Sequence, residues 1–126
     1  MIAPTRSALA SSLALPPERR MRRPREFQRA YASGKRLGNE HFTVSAKSNG
    51  LSHPRLGMSV AARTLRRAVA RNRVRRLIRE SFRLNQLSLP PLDLVIGVRT
   101  AVRSADNAQL RAQLQQIWKK ISATWA

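Results

Sequence analysis

The chain has 126 residues with 42% hydrophobic content, enough for one domain with one real core and too little for a multidomain enzyme. Its 25 Lys+Arg stand against 6 Asp+Glu, a formal charge of +19 whose self-repulsion burdens a compact fold unless a polyanion neutralises it. Nucleic acid is the expected partner, and the absence of cysteine excludes disulfides, thiol catalysis and cysteine zinc sites and fits a reducing, cytoplasmic setting. All but four of the basic residues are arginine. That favours planar, bidentate recognition of phosphate, although a GC-rich genome gives the same bias.

No apolar run approaches the roughly 18 residues needed to span a bilayer, so no membrane role is expected. Residues 1–17, MIAPTRSALASSLALPP, resemble a signal peptide only superficially, because Ser11 and Ser12 break the apolar stretch. The expected organisation is a disordered leader over residues 1–18 and a single domain over residues 19–126.

From Pro24 a helix of about ten residues is predicted, with Phe27, Ala30 and Tyr31 on one face and Gly34 as its stop. It is too short to stand alone and must dock on something. Alternation of Phe42, Val44 and Ala46, and then of Leu56, Met58 and Val60 beyond a Gly50 to Pro54 turn, predicts two half-buried antiparallel strands.

A long helix is expected over residues 66 to 84, with Thr64 as N-cap. Ala70, Val74, Leu77, Ile78, Ser81, Phe82 and Leu84 form its core stripe; Asn72, Arg76, Arg79 and Arg83 lie opposite, flanked by Arg73 and Arg75. Val69 falls on the polar side, against the pattern. Leu92 to Val98, LDLVIGV, reads as a central strand covered on both faces. Ser104 with Asp106 opens a last helix whose Leu110, Leu114, Ile117, Trp118, Ile121 and Trp125 keep helical spacing. The order helix, strand, strand, helix, strand, helix predicts an α+β sandwich.

Catalytic chemistry by side chains is not expected. Glu18, Glu26, Glu40, Glu80, Asp93 and Asp106 are scattered, with no spacing suited to an acid/base dyad or a metal cluster. His41 and His53 lack a nearby acidic orienter, and the glycines form no phosphate loop. The strong signal lies between Arg63 and Arg83, where nine arginines face Glu80 alone on a helix that keeps its apolar stripe. A solvated face normally mixes signs to gain i,i+4 pairs, so this one reads as an RNA- or DNA-binding helix. Composition does not choose between the two nucleic acids. Phe27 and Tyr31, one turn apart and preceded by Arg19, Arg20, Arg22, Arg23 and Arg25, suit either stacking of unpaired bases or simple packing of a short helix.

The string ARNRVRRLIRESFR at residues 70 to 83 resembles the signature of the bacterial ribonuclease P protein family, and EFQRAY, HPRLGMSV and LDLVIGVR follow the family in order. The resemblance covers about residues 20 to 121. It implies an αβββαβα sandwich, similar to a ribosomal-protein fold, with a left-handed βαβ crossover where a right-handed one is the general rule. It also implies a protein that binds a catalytic RNA, which holds Mg2+ and removes the 5′ leader of precursor tRNA, one protein per RNA. By position, Arg71, Asn72, Arg73, Arg75, Arg76, Arg79 and Arg83 would face the catalytic RNA. Phe27, Tyr31, Ser59 and Arg63 would bind the single-stranded leader. The chain departs from the family at Ala62-Arg63, where two adjacent lysines are usual. A structural ribosomal protein or RNA chaperone is the alternative; it would need basic surface but no aromatic cleft for single-stranded RNA. A DNA-compacting protein is disfavoured, since no dimer feature is evident.

Overall fold

The fold is known from a computed structural model that describes residues 15–125. Helix α1 is Pro24–Ser33, followed by strands β1 Lys35–Gly38, β2 Phe42–Ser48 and β3 Arg55–Ser59, helix α2 Ala68–Asn85, strand β4 Leu92–Val98 and helix α3 Asn107–Thr124. This is the αβββαβα order that the resemblance implies. Periodicity alone misses β1, because KRLG carries a single apolar side chain, Leu37, on a short edge strand. Asn39 closes the β1–β2 turn, its Oδ1 accepting from the backbone of His41 and Phe42 at 3.2 and 3.0 Å.

The sheet order β1-β2-β4-β3 corrects one expectation. β2 and β3 run in opposite directions as predicted but do not pair with each other; β4 lies between them, antiparallel to β2 and parallel to β3. A parallel neighbour needs a crossover, and α2 supplies it. Residues Leu92 to Ile96 are buried, as a central strand covered on both faces requires.

The two faces carry different layers. Phe42, Val44 and Ala46 of β2, Leu56 of β3 and Leu94 and Ile96 of β4 pack with Val74, Leu77, Ile78 and Phe82 of α2 and with Leu110, Leu114, Ile117, Trp118 and Ile121 of α3. Phe82 meets Trp118 edge to face at 6.0 Å, and the indole Nε1–H donates to Ser81 Oγ at 2.7 Å. On the other face Ala30 and Phe27 of α1 pack with Met21 and Val95.

Two helix starts and one stripe position differ from the sequence reading. Helix α2 begins at Ala68 without a side-chain cap from Thr64, which lies in a turn whose N–H bonds Ala61 O. Guanidinium groups brace that approach instead: Arg71 donates to Leu65 O and Arg66 O, and Arg103 donates to Thr64 O and Arg63 O. Leu84, at the edge of the predicted stripe, is 69% exposed, while Val69 is 80% exposed on the polar side. For α3 the cap is Asp106, whose Oδ1 accepts from Gln109 N while Gln109 Oε1 accepts from Asp106 N; Ser104 belongs to the preceding 3-10 turn.

The expected leader over residues 1–18 is too long. Leu15 is buried in the main core, and Pro17–Arg19 forms a 3-10 turn in which Glu18 O is held at 2.8 Å by His53 Nε2. The remainder of that leader, residues 1–14, lies outside the described residues.

Candidate nucleic-acid interface

Register on the α1 face of the sheet sets out three rows. Lys47, Asp93 and Arg55 stand side by side, then Ser45, Val95 and Gly57, then Thr43, Gly97 and Ser59. Each row meets a different part of α1, and the differences make the site.

The first row anchors the helix. Arg55 donates to both carboxylate oxygens of Asp93 at 2.7 Å through Nε and Nη2, and its Nη1 pairs with Glu26. Glu26 is also the N3 residue of α1, where its Oε1 accepts from the backbone of Arg22 and Arg23 at 3.1 and 2.9 Å. Burial alone would push the Glu26 carboxyl up, but the Arg23 and Arg22 amides and the Arg55 charge outweigh it and hold the group below the usual carboxylate range. The Arg55 guanidinium is held more firmly protonated than usual, chiefly by its hydrogen bonds to Asp93. Glu26 and Asp93 are 67 residues apart in sequence, so their convergence on one arginine leaves no local spacing to read.

The second row carries the weight of the helix. A methyl on Gly57 would sit 2.7 Å from Phe27 Cε1 and 3.1 Å from Met21 Sδ, so a glycine is what lets Phe27 lie down on the sheet.

The third row is left open. Tyr31, Thr43, Ser45, Ser59, Arg63 and Gly97 line a groove of about 210 Å³, with Tyr31 41% exposed as one wall. A side chain at Gly97 would overlap the Thr43 hydroxyl, which keeps the floor low. The structure thus brings together Tyr31, Ser59 and Arg63 of the predicted leader-binding set and places Phe27 one turn away, half-buried beneath α1. Two further cations border the groove unforeseen. Arg36 pairs with Ser45 in register and shares its face, and Arg99 Nη2 lies over Gly38, 3.4 Å from where a methyl there would stand. Arg36 becomes readable only once β1 is recognised as a strand.

A second basic surface lies behind the other face of the sheet, on the outer side of α2. Asn72, Arg73, Arg76 and Glu80 line a concavity of about 480 Å³ with Val69 and, from α3, Arg111. Arg73 donates to Asn107 Oδ1 at 2.7 Å, joining the two helices. Arg79 and Arg83 follow Asn72 and Arg76 along the same strip, with Arg75 at its margin. Arg71 stands apart, since its Nη1 holds the two carbonyls that precede α2. Sequence reading missed Arg111, because α3 reads as a core helix.

Residues 15–122 match the family model described as Ribonuclease P. A ribonuclease P protein component from Photorhabdus laumondii is 41% identical over 108 residues, covering 86% of this chain and 91% of that protein. One from Halorhodospira halophila is 48% identical over 100 residues, covering 79% and 82%. The solved structure of the Staphylococcus aureus RNase P protein superposes with a TM-score of 0.77 at 29% identity, covering 81% of this chain and 94% of that one.

Proposed function

The chain belongs to the ribonuclease P protein family, the protein component of a ribonucleoprotein endoribonuclease of tRNA processing, and on that premise we propose that its two basic surfaces serve two different RNAs. The outer strip of α2, with Asn72, Arg73, Arg75, Arg76, Arg79 and Arg83, binds the catalytic RNA, one protein per RNA; Arg71 acts there mainly by fixing the start of the helix. The groove on the opposite face takes the single-stranded 5′ leader of precursor tRNA.

The observation that carries this reading is the uncovered third row beneath Tyr31. Unpaired bases can stack on an exposed tyrosine, while the Thr43, Ser45 and Ser59 hydroxyls offer both donors and acceptors to sugars and base edges. Arg63, with Arg36 and Arg99 at the borders, neutralises phosphates. Such contacts tolerate many sequences, as a processor of many tRNAs requires. Phe27 supports Tyr31 from below by seating α1 on Gly57.

Among the described residues no group of three or more His, Asp or Glu could hold a metal ion, and the two carboxylates that converge, Glu26 and Asp93, are both engaged by Arg55. In this reading Mg2+ belongs to the RNA, and the protein supplies no ligand to it. No helix among the described residues is long and apolar enough to cross a membrane, and the proposed partners place the chain in the cytoplasm.

Replacing Tyr31 tests the groove. Tyr31→Ala is expected to cost about 1 to 3 kcal/mol in affinity for precursor tRNA and little for mature tRNA, with an almost unchanged melt because the side chain is exposed. A destabilised protein without a leader-specific defect would remove Tyr31 from the leader site.

A further inference from the structure

The α1 end of the molecule holds a second concavity, of about 800 Å³, that neither RNA assignment uses. Arg20, Arg22, Arg23, Arg25 and Arg29 line it, with Glu18 and the Arg55–Glu26 pair at its base. Against these five cations stand two lining acids, Glu18 and Glu26. Both oxygens of Glu26 are taken, by two backbone amides and by Arg55, and Arg55 is itself bidentate on Asp93. Among the described residues none of the five lining guanidinium groups has a carboxylate within salt-bridge reach.

Like charges gathered in one hollow repel one another, so the arrangement favours a polyanion that bridges them. Arginine's planar fork suits phosphate oxygens, and no aromatic ring lines the hollow to hold a base. The ligand chemistry is therefore a phosphodiester backbone read without regard to sequence.

Position selects which RNA supplies it. The hollow and the Tyr31 groove flank the same helix on the same face of the sheet, whereas the α2 strip lies on the other face. Arg25 and Arg29, at i and i+4, turn away from the Phe27 and Ala30 side of α1 that packs on the sheet. A strand leaving the groove has only the helix to pass, a width of about 10 to 12 Å, to reach them. We propose that this hollow is a second phosphate-binding site, occupied by leader nucleotides on the 5′ side of those held in the groove. The inference rests on the leader reading above and extends it from one nucleotide-sized groove to a longer track.

The test uses the full chain reconstituted with ribonuclease P RNA and precursor tRNAs whose leaders are about 4 and about 16 nucleotides long, the span of single-strand site sizes. The combined variant Arg22→Gln, Arg25→Gln and Arg29→Gln should weaken binding of the long-leader substrate about tenfold and leave the short-leader substrate unchanged. Its log K against log salt for the long leader should become shallower by about 2, from about 0.7 per single-strand phosphate contact. A melt that matches the parent shows the fold intact, and the pair Arg20→Gln and Arg23→Gln repeats the measurement from the other wall of the hollow. Equal losses on both leaders, weaker assembly with the catalytic RNA, or no loss on the long leader in either variant would each overturn the proposal. Tyr31→Ala keeps the two readings separable: a leader-specific loss there with none in the arginine variants sinks the hollow alone, and no loss there sinks the groove.

Discussion

Arg55→Ala is expected to lower stability by about 3 kcal/mol, because it strands Asp93 in the central strand with, among the described residues, only an Asn49 Nδ2 contact at 3.2 Å. Removing one partner of a well-buried pair costs about 3 to 5 kcal/mol, and the partial exposure of Arg55 argues for the lower end. The melting temperature should fall on the order of 10 °C. Helix α1 should loosen first, since ten residues do not hold a helix in water without docking, and leader binding should fall with it.

Acid should reproduce part of this effect in the parent. The folded state holds the Glu26 carboxyl below its unfolded value, so its contribution to stability is complete above the ordinary carboxylate range and is lost as pH falls through the lowered value. Arg55→Ala should remove only the Arg55 share of that acid-dependent part, the Arg23 and Arg22 amides keeping theirs while α1 stays docked. Thermal melts of parent and variant at neutral and acidic pH measure both effects; a variant within about 1 kcal/mol of the parent at neutral pH would show that Asp93 does not depend on Arg55.

The combined variant Arg73→Ala, Arg76→Ala and Arg79→Ala should weaken binding to the catalytic RNA on the order of a hundredfold or more while leaving the fold intact. Each lost contact to a duplex phosphate removes about 0.9 from the slope of log K against log salt, so the slope should become shallower by about 3. Alanine is the best helix former and three repelling charges disappear, so stability should hold apart from the Arg73 link to Asn107. Arg71→Ala should behave in the opposite way. It removes the brace on Leu65 O and Arg66 O and should cost stability, with the smaller change in salt slope. Equal salt slopes for the triple variant and the parent would take the α2 strip out of the interface.

These expectations separate what the sequence could show from what only the fold reveals. The helices were legible because their apolar spacing survives in the core: Val74, Leu77, Ile78 and Phe82 on α2, and Leu110, Leu114, Ile117, Trp118 and Ile121 on α3. The near-continuous apolar run of β4 announced a strand covered on both faces, but not that it would part β2 from β3. Pairing is set by the whole sheet, and two strands that each alternate correctly carry no mark of what lies between them.

The candidate sites divide in the same way. The α2 strip could be read from helical geometry, since its residues share one element. The groove could not, because Tyr31, Thr43, Ser59 and Arg63 meet only through the register of three strands with α1. Gly57 and Gly97 leave even less trace, as their role is the space that a side chain would fill. Leu15 falls within the expected leader because no periodicity surrounds it, yet a single apolar residue needs none to enter a core.

The most direct measurement is reconstitution of the purified chain with bacterial ribonuclease P RNA, following 5′ processing of precursor tRNA at low magnesium. The expected result is processing that depends on the RNA and rises on addition of the protein, with no cleavage by rigorously RNA-free protein. An unchanged rate when the protein is added, or cleavage by the RNA-free chain that one point substitution abolishes, would contradict the assignment of chemistry to the RNA and of substrate binding to the groove.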